Sequence, residues 1–147
     1  MTELSEVDGN ILDGVSATTL WTLHNRGSEA KRSDGTIRDP WAVTLLDAIS
    51  YDYREFGKPN QSHALRARAF DAAAQDYLTA HPKASMVALA EGLQSSFWRL
   101  ERSGVAGELT WYSVDLPPVM ALRERLLPHD DRIVSLAAAT TSPPRGC

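Results

Sequence analysis

Gly92 and Asp115 have the spacing of a nucleoside-binding site. Gly92 follows a short apolar run at residues 86–90, and Asp115 ends a second run at residues 109–115, 23 residues further along the chain. An acid about 20 residues after a glycine turn is the spacing that dinucleotide-binding folds use for a ribose. A carboxylate accepts two hydrogen bonds, which suits the two hydroxyl donors of a ribose diol. One glycine is a weaker signal than a full Gly-x-Gly-x-x-Gly, and a strand-terminal Asp also commonly caps the next helix, so both interpretations stay open.

These two residues need strands that bring them to one edge of a sheet. Residues 86–90 read Met-Val-Ala-Leu-Ala, an uninterrupted apolar run that predicts a strand buried on both faces of a parallel sheet. Gly92 would then turn the backbone with a positive φ and allow a close approach to a ligand. Residues 132–136 predict a third strand. The expected fold is therefore α/β, with a ligand crevice at the carboxyl ends of parallel strands.

Helices are predicted on both sides of the first strand. Three precede it, beginning at residues of types that commonly cap helices, namely Ser16, Asp39 and Ser62. A later helix over residues 119–127 carries Arg123 and Arg125, and we expect a solvated crossover helix rather than an anion-binding site. Arg66 lies early in the third helix. Its position alone indicates a surface arginine, although a guanidinium fork also suits a carboxylate.

Composition limits the class of protein. The chain has 147 residues, which fits one domain. Its net charge of −4 and its pI near 5.5 argue against a nucleic-acid partner. Since no run of about 18 apolar residues occurs, we expect no membrane span. The single cysteine, Cys147, has no partner for an internal disulfide, which predicts a cytoplasmic location.

The patterns divide the chain into three parts. Residues 1–13 are polar and predict a flexible N-terminus without the features of a signal peptide. Residues 14–136 carry the predicted helices and strands. Residues 137–147 have no apolar period and predict an unstructured tail.

Four stretches in chain order carry a resemblance to a known family. They are Arg-Asp-Pro-Trp-Ala at 38–42, Leu-Arg-Ala-Arg-Ala-Phe-Asp at 65–71, Ala-Glu-Gly-Leu-Gln-Ser-Ser-Phe-Trp-Arg-Leu at 90–100 and Trp-Tyr-Ser-Val-Asp-Leu-Pro at 111–117. Together they resemble the leucine carboxyl methyltransferase family, and most closely its bacterial branch of polyketide-synthesis O-methyltransferases. The chain departs from the family at Ala90, where glycine is usual, and at Gln94, where aspartate is frequent.

The resemblance implies that residues 14–136 are part of an S-adenosylmethionine-binding methyltransferase domain. The implied fold is the N-terminal portion of a class I, Rossmann-like parallel sheet with leading helices. The implied cofactor-binding residues are Arg66, Ala90, Glu91, Gly92, Asp115 and Leu116. Arg66 would pair with the methionine carboxylate of the cofactor, and Asp115 would hold its ribose. No catalytic residue and no metal site are assigned, because the four histidines occur in unrelated contexts.

The implied reaction transfers the methyl group of S-adenosylmethionine to an oxygen of a small molecule or a carboxylate. A βαβ unit takes about 30 residues, so a sheet of six or seven strands needs roughly 200, whereas three strands are counted here. We therefore expect a truncated methyltransferase, whose activity on its own stays open. One alternative is a non-catalytic fragment that acts as a binding or interaction module, either binding the cofactor weakly or pairing with a complementary chain. The open sheet edge separately predicts self-association. A nicotinamide-dinucleotide enzyme is disfavoured because Gly92 has no second and third glycine around it.

Overall fold

The computed structural model describes residues 4–138, which form helices and parallel strands. The helices are α1 (Thr18–Lys31), α2 (Pro40–Ala48), α3 (Ser62–Ala80), α4 (Ser96–Arg102) and α5 (Pro117–Leu126). The strands are β1 (Val7–Asp8), β2 (Ile49–Ser50), β3 (Ser85–Leu89), β4 (Thr110–Asp115) and β5 (Ile133–Ala137).

The main sheet is parallel and has the strand order β3-β4-β5. Its register places Val87 beside Tyr112 and Tyr112 beside Val134. Helix α4 connects β3 to β4, and α5 connects β4 to β5, so both connections are βαβ units. The predicted fold class, an incomplete parallel α/β sheet with leading helices, is confirmed.

The two faces of this sheet differ in burial. On one face, Trp111 is 5% exposed and packs in a cluster with Phe97 and Leu100 of α4. On the other face, Val87 is 60% and Leu89 is 74% exposed. The prediction that residues 86–90 are buried on both sides is therefore wrong. Right-handed crossovers along a strand order that advances in one direction place their helices on the same face, so α4 and α5 leave the other face uncovered.

The N-terminal segment differs from the flexible one that we expected. Within residues 4–13, β1 pairs in parallel with β2, with Val7 beside Ile49. Val7 and Leu12 are each 3% exposed and belong to the core cluster around α1. The burial of these two apolar side chains holds the segment in place. The mostly polar composition of the segment did not indicate this burial. Residues 1–3 lie outside the described part of the chain.

Helix α1 is the centre of the helical layer. Leu20 and Leu23 are fully buried and share one core cluster with Leu45 of α2 and Leu122 of α5. This cluster therefore joins the leading helices to the second βαβ unit. The shared core places α1 close to the end of β3, because Leu93 in the turn that follows β3 belongs to the same cluster.

The predicted helix starts are confirmed at one position of three. Asp39 caps α2, since its Oδ1 accepts a hydrogen bond from the Ala42 amide at 3.0 Å. Ser16 instead lies in a 3-10 turn that precedes α1. Ser62 is already the first residue of α3, and Asn60 Oδ1 accepts from its amide at 3.0 Å. The residue before α3 is Gln61, which makes no side-chain capping bond, so Ser62 is not the cap that its type predicted.

The carboxyl end of the described region is strand β5, which includes Ala137. The strand therefore runs one residue into the segment that was predicted to be a tail. Residues 139–147, the rest of that segment, lie outside the described part of the chain. None of the helices found in residues 4–138 has the length and hydropathy needed to cross a membrane.

Candidate functional site

The backbone reverses sharply after β3. Both Ala90, with φ 50°, and Gly92, with φ 61°, adopt left-handed backbone conformations. The positive φ predicted for Gly92 is confirmed. Ala90 carries a Cβ in the same region, which costs about 1–2 kcal/mol relative to glycine for a non-glycine residue. We call residues 90–95 the turn.

Asp115 and Gly92 are in direct contact at the carboxyl ends of β3 and β4. The Gly92 amide donates to Asp115 Oδ2 at 2.6 Å, and the Leu116 amide donates to Oδ1 of the same carboxylate at 2.7 Å. An ionised carboxylate offers about four lone-pair sites. Asp115 therefore holds the ends of β3 and β4 together and keeps acceptor capacity for a further donor.

The carboxylate of Glu91 is engaged inside the protein. Its Oε1 accepts from Trp111 Nε1 at 3.2 Å, Oε2 accepts from the Ser113 hydroxyl, and Arg123 Nη2 lies 3.3 Å from Oε2. Glu91 is 6% exposed. This burial raises the pKa of Glu91 above its ordinary value, although the nearby guanidinium opposes the shift. The carboxylate of Glu91 is thus bonded to residues of the protein interior.

A buried network of charges supports the turn from beneath. Asp39 Oδ2 accepts from Arg26 Nε at 3.2 Å and from Arg99 Nη1 at 2.6 Å, and the Ser95 hydroxyl donates to the same carboxylate at 2.7 Å. Arg99 Nε also donates to Asp71 Oδ2 at 2.6 Å. Burial alone would raise the pKa of Asp39, but the two guanidinium groups outweigh burial and hold this pKa below its ordinary value.

Sequence reasoning missed this network, although the signal was present. Asp39, Asp71 and Arg99 lie in three of the four stretches that carry the family resemblance. The structure brings these stretches together at one cluster. The interpretation of Asp39 as a helix cap was therefore correct but incomplete.

The interpretation of the arginines in α5 was wrong for one of them. Arg125 is exposed, as a solvated crossover helix requires. Arg123 is only 5% exposed, and its Nη1 donates to the carbonyl oxygens of Gly92 and Gln94 at 2.8 and 2.7 Å. The last turn of the helix faces the turn after β3, which the pattern of α5 alone could not reveal.

A cleft of about 540 Å³ lies between α1, α3 and β3, along residues 86–89 and the turn that follows them. Its volume falls in the range of small-molecule sites. From the predicted cofactor-binding set, the residues that line it are Arg66, Ala90, Glu91 and Gly92. Asp115 reaches this cleft through its bond to Gly92, and Leu116 follows Asp115 at the start of α5.

Arg66 projects into this cleft without a protein partner. It is exposed, and no hydrogen bond or ion pair joins it to another residue of the part that the structure describes. Its guanidinium is therefore free to bind an anion, and its planar fork suits a carboxylate. The hydroxyl-bearing residues Thr18 and Thr22 of α1 line the same cleft. The arrangement can bind a ligand with a carboxylate at one end and hydrogen-bonding groups along its length.

Comparisons with known proteins agree with this geometry. The family model of leucine carboxyl methyltransferases matches residues 19–137. The chain is 34% identical over 134 residues to the tetracenomycin polyketide synthesis O-methyltransferase TcmP of Streptomyces glaucescens. The match covers 89% of this chain and 48% of TcmP, so the chain spans about half the length of that relative. No solved structure matches the chain.

Proposed function

The chain belongs to the leucine carboxyl methyltransferase family, and from that membership we propose that its cleft binds S-adenosylmethionine for transfer of a methyl group to an oxygen. The family supports a methyltransferase and its methyl donor. TcmP is a polyketide synthesis O-methyltransferase, which supports an oxygen as the acceptor. Because the chain spans about half of TcmP, the activity of a whole enzyme is part of the proposal. A cytoplasmic location is also proposed, from the single cysteine.

The observation that carries the proposal is the free guanidinium of Arg66 in the cleft. S-adenosylmethionine ends in a carboxylate, which an arginine fork binds through two parallel hydrogen bonds. Asp115, with acceptor capacity left after its two amide bonds, would take the ribose hydroxyls. The backbone of Ala90, Glu91 and Gly92, and that of Leu116, would lie against the cofactor between these two groups.

The residues of this chain would contribute mainly orientation. When bound, S-adenosylmethionine supplies a methyl group that its sulfonium makes electrophilic. Arg66 and Asp115 would fix the two ends of the ligand, and proximity of methyl and acceptor can account for much of the acceleration in such a transfer. No histidine is among the residues that line the cleft in the described part of the chain, and no general base is assigned.

Calorimetric titration of S-adenosylmethionine tests the proposal. We expect Arg66→Ala to raise Kd at least about tenfold, the loss of a charge-assisted bond pair. Arg68→Ala is the matched control, because Arg68 is exposed on the same helix and outside the cleft lining, and it should bind like the wild type.

A ligand without the carboxylate isolates the role of Arg66. 5′-Methylthioadenosine keeps the ribose and adenine but lacks the amino-acid end. Its affinity should therefore be the same for the wild type and Arg66→Ala. A folded wild-type chain that gives no heat with S-adenosylmethionine would overturn the proposal.

A second candidate function is self-association, and the open side of the sheet favours it. In the described part of the chain, β3 pairs only with β4, so its other edge is free. The uncovered face carries two rows in register, Val87-Tyr112-Val134 and Leu89-Val114-Leu136, without a charge. A second copy would offer a face of the same apolar chemistry.

Sedimentation velocity tests self-association. A concentration-dependent dimer should be lost in Leu136→Lys, which lies outside the cleft lining, and kept in Leu65→Lys, a control on the exposed side of α3. A wild-type chain that stays monomeric over the concentration range would rule this candidate out.

A further inference from the structure

The carbonyl groups of the turn are held from inside the protein by two arginines. Arg123 Nη1 donates to the carbonyl oxygens of Gly92 at 2.8 Å and Gln94 at 2.7 Å, and Arg26 Nη2 donates to the carbonyl oxygen of Leu93 at 2.7 Å. Three successive carbonyl groups are therefore bound by guanidinium groups. In a planar trans peptide the carbonyl and the following amide point in opposite directions. The amide that follows each bound carbonyl therefore points away from the arginine.

The path of this turn needs a cation beneath it. Carbonyl oxygens carry partial negative charge, so three of them directed at the interior disfavour one another unless positive charge lies among them. Bonds from a guanidinium are stronger than neutral hydrogen bonds, and a buried one is shielded from water. Arg123 supplies two of the three bonds, so it is the larger contributor.

Arg123 is itself fixed on its other side. Its Nη2 lies 3.3 Å from Glu91 Oε2, and that carboxylate accepts from Trp111 and Ser113 of β4. The guanidinium thus joins α5, β4 and the turn. Gly92 and Gln94 line the cleft, whereas Arg123 is not among the residues that line it.

We propose that Arg123 is a positioning residue for the ligand cleft: by holding the Gly92 and Gln94 carbonyls, it sets the path of the turn and thereby the affinity for the ligand, without touching the ligand. This inference rests on the proposed function, because the affinity in question is that for S-adenosylmethionine. It assigns a role in ligand binding to a residue that the sequence pattern of α5 predicted to be exposed to solvent.

Calorimetric titration of S-adenosylmethionine into Arg123 variants tests the inference, with each variant kept well below its melting temperature. Arg123→Met should raise Kd about tenfold or more while the stoichiometry stays near that of the wild type. Arg123→Lys should recover part of the affinity, since an ammonium can donate to both carbonyls but lacks the fork that also reaches Glu91. Arg125→Met, on the exposed side of the same helix, is the matched control and should bind like the wild type.

Kd and the binding stoichiometry, measured in the same titration, distinguish a positioning role of Arg123 from a merely structural one. If Arg123 only stabilised the fold, its loss would lower the melting temperature or the fraction of competent protein and leave Kd unchanged. That result would overturn the inference. Because Arg123→Met leaves the Glu91 carboxylate without its cation, it can fail to fold. Glu91→Gln combined with Arg123→Met removes both charges, and the same rise in Kd is expected.

The outcome also distinguishes this inference from the proposed function. A wild-type chain that binds S-adenosylmethionine, with Arg66→Ala weakened and Arg123→Met unchanged, would refute the positioning role alone. A folded wild-type chain without any binding would refute both. Weakened binding in Arg123→Met, with partial recovery in Arg123→Lys, supports both.

Discussion

Thr19 and Gly92 approach so closely that a side chain at residue 92 would crowd Thr19. A Cβ on Gly92 would lie 3.2 Å from Thr19 Cγ2 and 3.4 Å from Thr19 Oγ1. Thr19 belongs to α1, so this helix passes directly over the turn that follows β3. Glycine is therefore favoured for two reasons at this position, by its φ of 61° and by the close contact with α1.

Gly92→Ala should lower the free energy of unfolding by about 1–3 kcal/mol, the cost of a left-handed alanine plus the contact with Thr19. Chemical denaturation measures the change. Gly104→Ala is a control for backbone strain alone, because Gly104 has φ 80° just after the end of α4, with no atom within 4 Å of its Cβ position. Thr19→Ser removes the methyl group that causes the closest contact, so it should reduce the cost of Gly92→Ala. Equal costs at Gly92 and Gly104 would contradict the role of the contact.

Ala90→Gly should stabilise the protein. The φ of 50° strains alanine by about 1–2 kcal/mol, and the extra backbone entropy of glycine in the unfolded chain offsets about 0.5–1 kcal/mol of the relief. A net gain of about 0.5–1 kcal/mol is expected, again by chemical denaturation. Ala88→Gly, in the extended strand β3, is the matched control and should have the opposite sign. A loss of stability in Ala90→Gly would show that the Cβ of Ala90 makes contacts that outweigh its strain.

Asp115→Ala should remove the link between the ends of β3 and β4. The carboxylate accepts from two amides, and bonds to a charged group in a half-buried position contribute about 1.5 kcal/mol or more each, so a loss of about 3 kcal/mol or more is expected. Asp115→Asn keeps one acceptor oxygen and should recover part of that stability.

The same two variants report on the ribose. If Asp115 also holds the ligand, Asp115→Asn should recover part of the stability but not the affinity for S-adenosylmethionine. The reason is that its amide group presents donors where a carboxylate presents acceptors. Calorimetry on both variants makes the comparison. If the affinity for the ligand falls and recovers together with the stability in the two variants, Asp115 only holds the two strands together.

Asp39→Asn should be strongly destabilising near neutral pH, by about 3–5 kcal/mol, because it leaves Arg26 and Arg99 buried without their common anion. The pKa of Asp39 is lower in the folded protein than its ordinary value of 3.8. Its stabilising contribution is therefore present above pH 3.8 and is lost as the pH falls through the lower folded-state pKa.

The gap in stability between the wild type and Asp39→Asn should accordingly narrow below about pH 4. Thermal unfolding across this range measures it. Asp34→Asn is the control, because Asp34 pairs with Arg32 at the surface and its loss should have little effect. A gap that stays constant down to acid pH would mean that Asp39 does not stabilise the fold through its charge.

The sequence alone determined the features that depend on neighbours in the chain. The apolar runs predicted a parallel α/β sheet, Asp39-Pro40 predicted the start of α2, and Gly92 predicted a positive φ. The apolar runs also predicted that Gly92 and Asp115 lie at the same edge of the sheet, because consecutive strands of a parallel sheet end at the same edge, although the hydrogen bond between the two residues was not predicted. These signals arise within a few residues or within one βαβ unit, so they can be recognised in the local sequence.

Only the tertiary structure decided which side chains are buried and which residues they contact. Arg123 and Arg125 lie two positions apart on one helix, yet only Arg123 is buried, because the turn after β3 packs against its side of α5. Val87 belongs to an apolar strand and is exposed, because both crossover helices lie on the other face. Asp39 and Arg99 are 60 residues apart and share one buried ion pair. Burial is set by what packs against a residue from elsewhere in the fold, and that information is absent from the local pattern.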